Sequence, residues 1–446
     1  MKTPACTALL ALGFVTCIAA PPAAADAPLT ESRVVELAAQ DAPAVLAARS
    51  EARAAEHERS AAARARLPDL AVTASYARLS SLDERYRTLE LPEPGGSRIG
   101  VVLPEILDRY SARAALVVPL SDPWLTLASI ERAAGQAAAA KALEAQATQA
   151  RVAYEARGAF LLYRRAQGAR RIAASAFEIA VAQARDQAQR ANAGTAPASS
   201  VLTFETARDA ALARLRIAEA DLAAADATVR TFLPATLNTA PLVTDDARSS
   251  PAALPAPGEP PALRAARTAV QAADARVDAE TQAMLPHLSL VAGADVASPN
   301  ARAFALDHAT TVVTWDVTLQ LEWSLSSLTT GRAKRDRAIA EREALAARAE
   351  QLRRQLDAER TSAAAARASA ESRLAASDHA VATATKLAEV RRNELATGVA
   401  TPLDVTNAEG ERVRAALERE DAVLDLQLAD ARLAFAAGWI PGQGGK

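Results

Sequence analysis

Two cysteines, five lysines and 4% aromatic side chains are all that 446 residues supply of those types, and each scarcity excludes something. Both cysteines, Cys6 and Cys17, fall within the first 25 residues, so a chain cleaved after Ala25 has no disulfide and no thiolate chemistry. No run of 18 apolar residues follows that segment, which excludes a transmembrane helix. The 51 basic and 53 acidic residues are interspersed and give a formal charge of −2, leaving no basic stripe for nucleic acid. His57, His287, His308 and His379 share no metal-ligand spacing, and His379 reads as a helix-surface residue. There is no G-x-S-x-G, no phosphate loop and no H-E-x-x-H, so no catalytic residue, metal or cofactor is expected. The pairs Arg164-Arg165, Arg170-Arg171 and Arg391-Arg392 stand among acids and alanines and read as solvated faces or interhelical ion pairs.

What is abundant is alanine, at 118 residues about a quarter of the chain. So much alanine with so few aromatics makes a poor globular core but suits long helices packed closely through small side chains. The first 25 residues read as a secretory signal: Met1-Lys2, an apolar run from Leu9 to Ala20 and an A-x-A site at Ala23-Ala24-Ala25, leaving Asp26 as the mature start. Phe14-Val15-Thr16 before Cys17 fits a lipoprotein site poorly.

Proline is absent from 124 to 196 and from 300 to 401, and within these stretches 125–191 and 330–396 read as helices, each about 100 Å long at 1.5 Å per residue. Each ends in a turn signal, Asn192-Ala193-Gly194-Thr195-Ala196-Pro197 and Thr397-Gly398-Val399-Ala400-Thr401-Pro402. A second helix with a heptad seam follows each turn: Ala211, Leu215, Ala218, Leu222, Ala225, Val229 and Phe232, then Val413, Leu417, Leu424, Leu428 and Phe435. Each turn is therefore expected to be the tip of an antiparallel coiled-coil hairpin. Placing Gly194 on Gly398 aligns Val201 with Val405, Glu205 with Glu409 and Arg208 with Arg412. Upstream, helical patterns over about 30–67 and 262–285 each end in Leu-Pro. An internal duplication follows: signal 1–25, first repeat 26–233, a Pro-rich and largely irregular linker 234–261, second repeat 262–438 and a tail 439–446.

After each Leu-Pro the period changes to two. Leu70, Val72, Ala74 and Tyr76 alternate with polar or small residues, as do Tyr110 to Leu120, Leu288 to Val296 and Trp315 to Leu325. Four strands of roughly ten residues have the length and apolar-out, polar-in dyad of transmembrane β-strands. Trp315 and Trp323 lie eight residues apart, about 26 Å at 3.3 Å per residue, close to the apolar band of an outer-membrane barrel. A soluble sheet with one buried face is the competing reading. Four strands cannot close a barrel, so spanning strands require oligomerisation, and a trimer with twelve strands leaves an aqueous lumen.

The signal peptide, the two copies of helix, Leu-Pro, strand, strand, long helix, Gly turn and helix, and the tip Leu395-Ala396-Thr397-Gly398-Val399-Ala400-Thr401-Pro402-Leu403-Asp404-Val405 resemble the TolC-like outer-membrane efflux family over about residues 30–438. The resemblance implies an α+β membrane protein, a homotrimer whose four transmembrane β-strands per protomer share a 12-stranded barrel in outer-membrane lipid and whose helices form a periplasmic α-helical barrel. It implies a passive exit duct served by a periplasmic adaptor and an inner-membrane pump, in the outer membrane of a Gram-negative bacterium. The adaptor-facing tips would be Ala193, Gly194 and Thr195 with Thr397, Gly398 and Val399, although both glycines have a local reason as turn formers. Asp404 matches a family position at the periplasmic constriction, or is an ordinary acid in a first helical turn. Ser200 takes its place in the first copy, a neighbouring arginine site of the family reads Ala400, and Asn407 stands where the family has a second acid, so this tip departs from the family's charge-built latch. Trp315, Trp323, Tyr76 and Tyr110 are the candidate membrane-interface aromatics. A periplasmic coiled-coil scaffold without a spanning barrel is the alternative.

Overall fold

The computed structural model describes residues 29–439 except 82, 87, 93, 95, 97, 103–104, 238, 245–257 and 301–310. The signal segment with both cysteines, half of the Pro-rich linker, His308 and the last seven residues lie outside this range. The chain divides into two compact units.

The first unit contains residues 152–254 and 366–432 together with the N-terminal residues through Ala42. It holds α1 (Glu31–Asp41), the distal part of α3 (Thr126–Asn192), α4 (Ala198–Arg230), the distal part of α6 (Ser327–Ala396) and most of α7 (Pro402–Ala436). α3 and α6 run 67 and 70 residues without a break, in agreement with the proline-free stretches. The seam expected on α4 turns inward, with Ala211, Ala218 and Val229 buried. Among the described residues most buried apolar positions are alanine, so helices approach closely where larger side chains would hold them apart. Gly158 and Gly168 on α3 do the same opposite Leu428 and Glu420 of α7. Larger side chains gather where the N-terminal segment docks. Leu29, Val34, Leu37, Phe160, Tyr163, Val229 and Leu242 form one buried cluster.

Two expectations change here. The helix read over 30–67 is two helices, because Pro43 has no N–H and Ala42 before it takes an extended conformation, φ −60° and ψ 138°. The start of the Pro-rich linker is structured: Leu29 and Leu242 pair as a parallel bridge, and Ala240 and Leu242 are buried.

The second unit contains residues 43–151 and 255–365 with the C-terminal residues from Leu433. Here α2 (Pro43–Arg64), the first part of α3, α5 (Pro261–Gln282) and the first part of α6 accompany a four-stranded antiparallel sheet. Its strands are β1 (Asp69–Arg78), β4 (Asp108–Pro119), β5 (His287–Ser298) and β6 (Val312–Glu322), in the order β1-β4-β5-β6. Each helix-to-strand change follows a Leu-Pro, since Pro68 and Pro286 can neither continue a helix nor donate to a ladder. Between β1 and β4 lies a hairpin the periodicity did not reveal, β2 (Thr88–Pro92) with β3 (Arg98–Val102). Its strands of five residues are too short for a clear period of two, and Glu90 and Arg98 pair across it at 2.9 Å.

Candidate functional site

The sheet has two chemically distinct faces. Cross-strand register places Leu70, Leu116, Ala292 and Val317 in one row, Val72, Ala114, Ala294 and Trp315 in the next, and Ala74, Ala112, Val296 and Val313 in a third. These residues share one face, and its large members are exposed, Trp315 at 74%. The intervening rows carry Thr73, Arg113, Asp295 and Thr314, or Ser75 and Ser111, whose hydroxyls lie 2.7 Å apart. A water-facing sheet normally shows the reverse, with its apolar side against a core. From Val313 to Leu321 the apolar face runs eight residues along β6, about 26 Å at 3.3 Å per residue. That matches the apolar band of roughly 25 Å on outer-membrane barrels.

At one end of this face the Tyr76 and Tyr110 rings lie 5.0 Å apart. The Tyr76 hydroxyl donates to Asp108 at 2.9 Å, and Arg78 pairs with the same carboxylate at 2.7 Å, forming a polar rim beside the aromatic pair. Trp315 stands two rows inside that rim, in the middle of the face. Trp323 does not share a strand with it. β6 ends at Glu322, opposite His287, because Pro286 before His287 offers no N–H to extend the ladder. Trp323 sits just beyond, its indole N–H donating to the Met284 carbonyl at 3.3 Å. Trp124, at 84% exposure in the turn that follows β4, stands just before α3 and is a further exposed aromatic at that end of the sheet, one the alternating pattern does not single out. A Trp after the Ser121-Asp122-Pro123 turn at a strand end was the available signal.

The tips belong to the helical unit. In each, the glycine takes a left-handed conformation, φ 71° at Gly194 and 80° at Gly398. Gly194 N–H donates to the Ala191 carbonyl and Thr195 N–H to that of Arg190; Gly398 and Val399 do the same to Leu395 and Glu394. Both are Schellman caps, which satisfy carbonyls left free at a helix end and need φ > 0 at the glycine. Ala193, Gly194, Thr195, Thr397, Gly398 and Val399 are all exposed, Val399 at 76%.

Past the glycines the tips diverge. Thr401 caps α7: its hydroxyl and N–H donate to the Asp404 carboxylate at 2.6 and 2.9 Å, and Asp404 N–H donates back to the Thr401 hydroxyl at 3.2 Å. This reciprocal capping box holds the Asp404 carboxyl below its ordinary pKa, chiefly through the Thr401 hydroxyl. Pro197 takes the corresponding place before α4 and supplies no side-chain cap. Ser200, aligned with Asp404, is instead buried; it donates to the Pro197 carbonyl at 2.6 Å and accepts from the Gln187 amide at 2.8 Å. Phe204 and Val405 are buried together with Ala184, with Leu395 packed against them, so all four helices meet just behind the tips. Asn407 is exposed and borders a cleft of about 760 Å³ among α3, α4 and α7, along with Gln183, Arg214 and Glu409.

Among the described residues no group of His, Cys, Asp or Glu could hold a metal ion, and no helix is long and apolar enough to cross a membrane. His57 and His379 are exposed, and His287 pairs with Asp122 at 2.6 Å.

Residues 256–439 match the family model described as outer membrane efflux protein. Comparison with curated proteins returns no match. Among solved structures the fold is similar to that of CusC, described in terms of transmembrane channel formation, at a TM-score of 0.76 and 16% identity over 92% of each chain. It is also similar to the Campylobacter jejuni CmeC outer membrane channel, at 0.74 and 13% identity over 93% of this chain and 87% of that one. The Neisseria gonorrhoeae MtrE outer membrane channel in its open state gives 0.70 and 18% identity, covering 92% and 88%. The resemblance read from the motifs thus holds by sequence for residues 256–439 and by fold over most of the chain.

Proposed function

With its second half matching the outer membrane efflux protein model and its fold matching that of outer-membrane channels, we propose that this chain is the exit duct of a tripartite efflux or type I secretion system. The observation that carries this reading is the exposed apolar face of the sheet, about as tall as a membrane's apolar band and backed by a polar face. A water-soluble scaffold would leave that face without cover.

Three protomers contribute twelve strands to one barrel, closing the edges that β1 and β6 present. The helices continue the lumen through the periplasm. The chain arises by internal duplication into repeats 26–233 and 262–438, and a cleaved signal peptide exports it to the outer membrane of a Gram-negative bacterium. Conduction is passive and needs no cofactor; energy comes from an inner-membrane pump reached through a periplasmic adaptor. The adaptor docks at the exposed tip residues around Gly194 and Gly398. Asp404 and Asn407 line the periplasmic constriction, with Ser200 supporting the wall behind them. Tyr76 and Tyr110 mark one membrane interface, Trp323 and Trp124 the other, and Trp315 lies in the apolar band.

Membrane fractionation and gel migration with and without heating test this. The expected product is an outer-membrane, detergent-requiring trimer that changes mobility on boiling. Recovery of a soluble periplasmic monomer refutes it.

A further inference from the structure

On the polar face of the sheet, Arg113 of β4 stands directly opposite Asp295 of β5, yet its guanidinium reaches past that residue to Asp316 of β6, at 3.2 Å. Gly293 makes this possible. A Cβ there would stand 2.7 Å from the Arg113 Nη2 atom and 2.9 Å from the Asp316 carboxylate, in the space the pair occupies. The glycine inside β5 therefore marks a close approach, here of a side chain crossing a strand.

The consequence concerns charge. Arg113 and Asp316 neutralise each other, and Asp295 makes no hydrogen bond or ion pair among the described residues. Over the described residues of the four strands, the carboxylates of Asp69, Asp295, Asp316 and Glu322 share this face with only two guanidiniums, those of Arg109 and Arg113. Three copies of one uncompensated carboxylate at the same level of a closed barrel make a negative ring on the lumen wall.

We propose that Asp295 is a cation-selecting residue of the barrel lumen, left unpaired because Gly293 lets Arg113 pass it to reach Asp316. This rests on the reading of the polar face as the lumen of a trimeric channel. The ring acts on what crosses the barrel and is separate from any constriction at the tips.

The test is the reversal potential of the full trimer in planar bilayers under a KCl gradient. Near 10 mM salt the screening length is about 30 Å, and the native channel is expected to prefer cations. Asp295→Asn lowers the cation-to-anion permeability ratio about twofold there and changes little near 1 M, where screening falls to about 3 Å. Neutralising the pair together, Arg113→Gln with Asp316→Asn, leaves the ratio unchanged. The mature chain has no cysteine, so Asp295→Cys provides a clean handle. A water-soluble anionic thiol reagent restores the native ratio and a cationic one lowers it further. A conducting Asp295→Asn channel with the native reversal potential, or an unreactive Asp295→Cys, overturns the proposal and leaves the channel reading standing. A native trimer that conducts nothing sinks the channel reading itself.

Discussion

The two helical tips solve one problem with different chemistry. Both must reverse a long helix, and both do so with a left-handed glycine in a Schellman cap. Starting the next helix is where they part. At the second tip Thr401 and Asp404 satisfy each other at the protein surface through an ionised carboxylate. At the first, Pro197 offers no cap and Ser200 turns inward to Gln187. The second tip is thus held by local electrostatics exposed to salt and pH, and the first by a buried polar contact between helices. Similar backbone geometry therefore carries different sensitivities.

The largest effect should come from the packing the tips share. Phe204→Ala removes the biggest side chain of the cluster in which the four helices meet and is expected to cost about 3–5 kcal/mol, read from denaturant unfolding of the detergent-solubilised protein. A loss below about 1 kcal/mol would mean that the tips are stabilised independently of one another.

Next is the contrast in polar contacts. Ser200→Ala leaves a buried Gln187 amide without its acceptor and should destabilise by about 1–3 kcal/mol. Thr401→Ala removes an exposed cap and should cost about 1 kcal/mol. Equal losses would erase the distinction between the tips.

The smallest effect is pH dependence. Asp404 has a lowered folded-state pKa, so its contribution is complete above the unfolded value near 4 and is lost as pH falls through the lowered value. Proteolysis or hydrogen exchange at the start of α7 should therefore increase below about pH 4 more than at the start of α4, where no carboxylate caps the helix. Parallel acid responses at both starts would show that the capping box does not govern this tip.

Much of this was legible in the residues. The long helices came from proline-free alanine-rich stretches, the tip glycines from Asn-Ala-Gly-Thr and Thr-Gly-Val, and the strands from period-two alternation after Leu-Pro. The errors have local causes. Pro43 sits in a pattern helical on both sides, so it was read through, although it breaks the helix. The β2–β3 hairpin was too short to show a period. Trp323 kept the alternation of β6 without a partner residue to pair with. Ser200 aligns with Asp404, but nothing in the sequence joins it to Gln187, so its burial was not legible there.

The sequence by itself determined where helices run, where they turn, where strands begin and which residues alternate between faces. Those features follow from the backbone limits of Pro and Gly and from periods of 3.6 and two, all acting over a few residues. Only the tertiary structure decided that β4 pairs with β5, that Leu29 joins Leu242 and that Arg113 passes Asp295 to reach Asp316. Each of these unites residues more than a hundred positions apart, whose meeting depends on how whole elements pack and on the space a missing Cβ leaves open.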